Sequence, residues 1–165
     1  MAAIHWTHQV NGSFTNAADW TGGLVPGAGD DALLDAAGVT AFTVTSSSYV
    51  MVNSIQTSTK ATLAVTGGTF DATKGTGAGA NAGTVSVGSA ATFEIGGTFT
   101  NTGVVLAAKG GTVALLGATV TGGVVTTAAG SEIYVYTGAS TLAPATLTNA
   151  GAIKVGKYNT LTVGG

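Results

Sequence analysis

The stretch "NAGTVSVGSAATFEIGG", Asn81 to Gly97, returns as "NAGAIKVGKYNTLTVGG", Asn149 to Gly165, with eight of seventeen positions identical and no gap. A fixed repeat constrains a fold more than local propensity does, because each copy must occupy an equivalent place in a stack. Two further copies lie between, "NTGVVLAAKGGTVALLG" from Asn101 and "TGGVVTTAAGSEIYVYT" from Thr121, so the register advances by 20, 20 and then 28 residues. On this reading the last step carries an insertion of eight. Columns of like residues result: Gly83, Gly103, Gly123 and Gly151; Val85, Val105, Val125 and Ile153; Phe93, Val113, Ile133 and Leu161; Ile95, Leu115, Val135 and Val163.

Upstream, "SIQTSTKATLAV" and "LLDAAGVTAFTV" continue the pattern, and six turns are counted in all. Each holds two short strands of period-2 alternation around a Gly, Ala or Ser corner, with a third short stretch, such as 98 to 100, in some copies. Such a pattern predicts parallel strands stacked rung on rung, a β-solenoid. Six rungs at about 4.8 Å each make a rod roughly 29 Å long. No segment shows 3.6 periodicity, and the 27 glycines and abundant Thr disfavour helix. A β-sandwich, with short strands at similar spacing but no need of a constant register, is the alternative. Asn81, Asn101 and Asn149, each two residues before a Gly, are expected at turns, bonding backbone or a neighbouring Asn.

Residues 1–31 stand outside the repeat and are expected to cap the solenoid formed by residues 32–165, a single domain overall. The segment is dense in unusual residues: Trp6, Phe14, Trp20, Pro26, Asp19, Asp30 and Asp31. Terminal units of a solenoid need covering, and Trp20 is expected to be buried over the first rung near Leu34 and Phe42. The order Trp6, Gly12-Ser13-Phe14, Ala18-Asp19-Trp20, Gly22-Gly23, Val25-Pro26-Gly27 and Asp30-Asp31-Ala32, followed by "TVTSS", "ATLAVTGGTF" and "NAG", resembles the entry module of secreted bacterial β-helix surface proteins, autotransporter-passenger-like and haemagglutinin-like. The resemblance implies a right-handed parallel β-helix, a secreted or cell-surface location, and a structural or adhesive role.

Charge is scarce, with five Lys, no Arg and seven acids, for a formal net charge of −2. Nucleic-acid binding needs a basic stripe, so no such partner is expected. No apolar run approaches the roughly 18 residues of a membrane span, so no membrane insertion is expected. The chain has no Cys, which excludes disulfides, thiolate metal sites and a Cys nucleophile.

Candidate chemistry is sparse. Asp19, Asp30, Asp31 and Asp35 carry oxygens of the kind Ca²⁺ takes, but the better reading has Asp19 and Asp30 bonding backbone N–H groups in the turns around Pro26 and Gly29, ordering the cap. His5 and His8 lack the third His or Cys of a zinc site, and there is no G-x-S-x-G nucleophile elbow. Glu94 and Glu132 fall on outward strand positions two rungs apart, about 10 Å along the axis, a separation loosely like that of an inverting glycosidase pair. Solvated surface Glu is the better reading. An outward Thr62, Thr92, Thr112 and Thr160 column suggests an ice-binding face, which Glu132 would interrupt.

Two apparent insertions, 68–80 and 137–148, are expected to project from one corner of the rod. Beside them outward Tyr134 and Tyr136 offer apolar ring faces on which sugars stack. The expectation is therefore a non-enzymatic structural or adhesive module needing no cofactor or metal. Its C-terminal end lacks an evident cap and is expected to join a copy of itself or a continuing solenoid chain. The alternative is a carbohydrate-binding module whose ligand residues are Tyr134, Tyr136, Glu132 and Glu94, with a polysaccharide as partner.

Overall fold

A computed structural model describes residues 2–164. Three strands, β1 (Ala3–His5), β2 (Gly12–Ser13) and β3 (Asp31–Leu34), precede the first complete turn, which is β4 (Phe42–Ser46), β5 (Val50–Val52) and β6 (Ser54–Thr57). The second turn is β7 (Ala61–Val65) and β8 (Gly68–Ala72), closed on its third side by bridges at Gly75 and Asn81. The third and fourth are β9 (Thr84–Val87) with β10 (Ala91–Thr100), and β11 (Val104–Ala107) with β12 (Thr112–Thr121). The fifth is β13 (Val124–Thr127), β14 (Glu132–Thr137) and β15 (Ala139–Ala143), and the sixth β16 (Thr146–Asn149), β17 (Ala152–Val155) and β18 (Thr160–Val163).

Every described strand ladder is parallel. That excludes the sandwich, whose two sheets are antiparallel, and makes the chain a β-solenoid of six turns with three sides. The first side runs β2, β4, β7, β9, β11, β13, β16, and the second β5, β8, β10, β12, β14, β17. The third starts as β1, β3, β6 and continues through the bridges to the far halves of β10 and β12, then β15 and β18. In β10 the corner between second and third sides falls at Gly96 and Gly97. There Gly97 has φ 55°, and a Cβ on Gly96 would lie 2.3 Å from the Thr73 carbonyl oxygen. Only glycine fits so close to the turn below.

Core residues stack in columns along the axis. Val44, Leu63, Val85, Val105, Val125 and Leu147 are successive partners on the first side. Val50, Phe70, Phe93, Val113, Ile133 and Ile153 are successive partners on the second. Each fully buried Val, Leu or Ile contributes about 1.5–3 kcal/mol. Aromatic rings join the cap to this core: Trp6 to Trp20 at 5.0 Å, Trp20 to Phe14 at 4.9 Å, Phe14 to Phe70 at 5.1 Å, then Phe93 and Phe99. Trp20 is buried, and its Nε1–H donates to the Phe14 carbonyl at 2.7 Å. The aromatic segment is thus a lid, though not a separate one, since β1 and β2 pair with β3 and β4 and begin two of the sides.

Four register readings need correction. The steps from Phe42 to Ala61, Thr62 to Thr84, Thr84 to Val104, Val104 to Val124 and Val124 to Thr146 are 19, 22, 20, 20 and 22 residues, so no eight-residue insertion precedes the last copy. Ile153 stacks on Ile133 rather than Val125, while Leu161 and Val163 pair with Ser140 and Leu142. Residues 137–148 do not project, because β15 and the first three residues of β16 occupy them as ordinary rung strands, and β8 likewise takes up the first part of 68–80. The Thr column breaks up as well: Thr92 and Thr112 are partners, but Thr62 pairs with Thr84 on another side and Thr160 with Ala139.

The Asn residues act as expected at 81 and 101, where Asn81 Nδ2 donates to Asn101 Oδ1 at 2.7 Å and Asn101 Nδ2 to the Val124 carbonyl at 3.2 Å. Asn149 belongs to a different side and accepts from the Thr127 hydroxyl.

Candidate functional site

Outward positions of the second side carry most of the unusual polar residues. Strand alternation sends Phe70, Phe93, Ile133 and Val135 into the core, which turns Asp71, Glu94, Glu132, Tyr134 and Tyr136 outward. The register sets one outward column as Met51, Asp71, Glu94, Ala114, Tyr134 and Lys154. Glu132 stands in the neighbouring column, above Thr112 and Thr92.

Glu132, Tyr134 and Tyr136 therefore come together on β14, while Glu94 lies two turns away, separated from Tyr134 by Ala114. The tyrosine rings meet edge to face at 5.6 Å, and Tyr136 is 57% exposed. Glu132 is neutralised by Lys154 at 2.5 Å, and that carboxylate in turn holds the lysine pKa above its ordinary value. Asn159 braces the strand from above, its Nδ2 donating to the Tyr136 carbonyl at 2.9 Å. The Glu94 and Glu132 spacing is as the register implied, but each acid has a nearer neighbour that sets its chemistry.

For Glu94 that neighbour is Asp71, its direct partner one turn below. Both carboxyls have raised pKa values, Asp71 by burial and Glu94 first by burial and then by the charge of Asp71. Sequence reading missed Asp71 because 68–80 was assigned to a projecting insertion. Counting Asp71 as a strand residue after Phe70, the partner of Phe93, would have found it. Lys154 was missed for a related reason: the shifted register placed the last copy one side away from β14.

In the cap, each acid is held by hydrogen-bond donors. Asp30 accepts from the Ala2 and Gly27 backbone amides, as the turn reading expects, whereas Asp19 accepts from the Asn16 side chain and Asp31 from the Asn53 and Ser54 side chains. His5 Nδ1 lies 2.9 Å from Asp35, and His8 contacts Thr7. Among the described residues no helix is long and apolar enough to cross a membrane.

The sixth turn completes the picture. β16, β17 and β18 pair only with β13, β14 and β15 below them among the described residues. Their inward residues Ile153, Val155 and Val163 are 38%, 47% and 56% exposed, whereas Ile133, Val135 and Leu142 beneath them are buried. A comparison with protein-family models, curated proteins and solved structures gives no match to this chain.

Proposed function

We propose that this chain is a structural or adhesive β-solenoid module of a bacterial secreted or cell-surface protein, acting without catalysis and joining further β-rungs at its sixth turn. The joining rungs belong to a second copy or to a continuing solenoid chain. The observation that carries the reading is the sixth turn itself: three strands with no upper partner among the described residues, around apolar residues whose counterparts one turn below are buried. Strand edges of this kind template the addition of strands. The resemblance of the cap segment to secreted β-helix surface modules supports the location. Sedimentation of the chain over a wide concentration range tests the reading, with association expected to grow with concentration and a strict monomer at high concentration counting against it.

A second reading, a carbohydrate-binding module, is favoured by one specific arrangement. Tyr136 presents its ring to solvent, braced by Tyr134, which is itself the register partner of Lys154 in the Glu132–Lys154 pair, so apolar ring surface and groups able to bond sugar hydroxyls share one face. Binding on a glycan array that disappears in the Tyr134→Ala, Tyr136→Ala double variant supports it. Binding to no glycan at all removes it.

A further inference from the structure

Four corners between the second and third sides place one residue each in the left-handed region: Gly97 at φ 55°, Gly117 at 62°, Gly138 at 71° and Tyr158 at 67°. Glycine adopts this conformation freely, whereas a bulky side chain there is strained. Tyr158 is also 90% exposed, so its ring recovers almost nothing by burial. Its corner is longer by one residue, because Val155 to Thr160 is a step of five where their partners Val135 to Ala139 make a step of four. Strained side chains of this kind cluster at ligand clamps and other functional sites.

The lengthened corner is fixed against the tyrosine pair. Asn159 Nδ2 donates to the Tyr136 carbonyl at 2.9 Å, and Asn159 Oδ1 accepts from the Gly138 amide at 2.8 Å. The Tyr134 hydroxyl lies over Gly156, where it would be 3.4 Å from a Cβ. Lys157 Nζ lies 4.7 Å from the Tyr158 ring centroid and makes no ion pair among the described residues. Glu132 takes up the charge of Lys154, which stands above Tyr134 in the outward column. Lys157 is therefore the unneutralised cation of the patch, on a chain whose formal net charge is −2. Beneath it the same corner holds Gly138, Gly117 and Gly97, none of them charged.

Exposed tyrosine rings present an apolar face with a polar tip, which suits the C–H faces and hydroxyls of sugar rings. An exposed ammonium beside them favours an anion, through a charge-assisted hydrogen bond. Because Lys157 Nζ is so close to the Tyr158 ring, the anion it takes must be carried on the stacked sugar itself, as the carboxylate of a uronate is. Building on the carbohydrate-binding reading, we propose that Tyr136, Tyr158 and Lys157 bind an acidic polysaccharide, the tyrosines stacking on sugar rings and Lys157 pairing with a uronate carboxylate. The strained corner holds the Tyr158 ring out for this contact, and Asn159 keeps it beside Tyr136.

Calorimetric titration of the chain with glucuronate, galacturonate and mannuronate oligomers, each beside the neutral oligomer of the same linkage, tests this. At least one acidic oligomer is expected to bind about tenfold more tightly than its neutral counterpart. Added salt should shrink that preference, since the lysine is exposed. Lys157→Gln should abolish the preference. Tyr158→Gly should weaken binding about fivefold or more. The same variant should leave the midpoint of thermal unfolding unchanged or raised, because glycine suits the corner. Equal binding of acidic and neutral oligomers overturns the proposal while the carbohydrate-binding reading stands, and binding of none overturns both. Undiminished binding by Tyr158→Gly, or an acidic preference that survives Lys157→Gln, overturns the proposal as well.

Discussion

Asp71 is a largely buried acid that the fold tolerates at a cost in stability. Its pKa is raised by burial from the ordinary 3.8, and Glu94 is raised from 4.5 by burial and by Asp71. A carboxyl whose folded pKa exceeds its unfolded value binds its proton more tightly when folded. The stability it contributes is present below the unfolded value and is lost as pH rises through the folded one. The chain should therefore lose stability from about pH 4 upward through the raised carboxyl range. Asp71→Asn should remove much of that slope and stabilise the protein at pH 7 by about 0.5 kcal/mol, a small effect because solvent still screens the pair. Urea unfolding at pH 4 and pH 7 with and without the substitution checks it, and a destabilised variant at pH 7 contradicts it. Single glycines act in the opposite sense, as requirements of the stack. A Cβ on Gly103 would lie 2.0 Å from the Gly83 carbonyl oxygen, which is why that position admits no side chain.

The strands explain what was legible in the sequence and what was not. Val85, Val105 and Val125, and Phe93, Val113 and Ile133, are true columns because three consecutive turns use the same side for the same stretch of repeat. The fourth copy misled because all three sides are made of the same unit, a short alternating strand, a small-residue corner and another such strand. The match of Asn149 to Gly165 with Asn81 to Gly97 is real as sequence, yet it lies one side further around the coil. Ile153 and Leu161 thus occupy the second and third sides, where Val85 and Phe93 occupy the first and second. Sequence similarity alone cannot distinguish sides that bury the same residue types. The tyrosine and glutamate site was partly legible, since outward alternation on β14 was readable, whereas Lys154 and Asp71 required the correct side assignment. The cap was readable by contrast: a segment outside the repeat, rich in Trp and Phe, next to an open core. Trp20→Ala should cost about 3–5 kcal/mol, because a large buried ring and its neighbours' packing are lost together. Its Nε1–H bond to Phe14 is lost as well. Denaturant titration measures this, and a loss below about 1 kcal/mol would remove the lid role.

At the scale of the whole molecule the two ends differ. The N-terminal end is closed by Trp6, Phe14 and Trp20, all buried, while in the sixth turn Ile153, Val155 and Val163 are exposed and its three strands have no upper partner among the described residues. The second side between them carries both the tyrosine pair, Tyr134 with Tyr136, and the acidic pair, Asp71 with Glu94. The assembly proposed for the sixth turn would leave this side uncovered, because each turn of a solenoid contacts only its neighbours. The most direct test is sedimentation equilibrium of the wild-type chain beside Val163→Lys, a position already exposed, so that folding is unaffected. The account expects concentration-dependent association in the wild type and a monomer in Val163→Lys at every concentration, with identical circular dichroism. A wild-type monomer throughout, or association that survives the lysine, would contradict it.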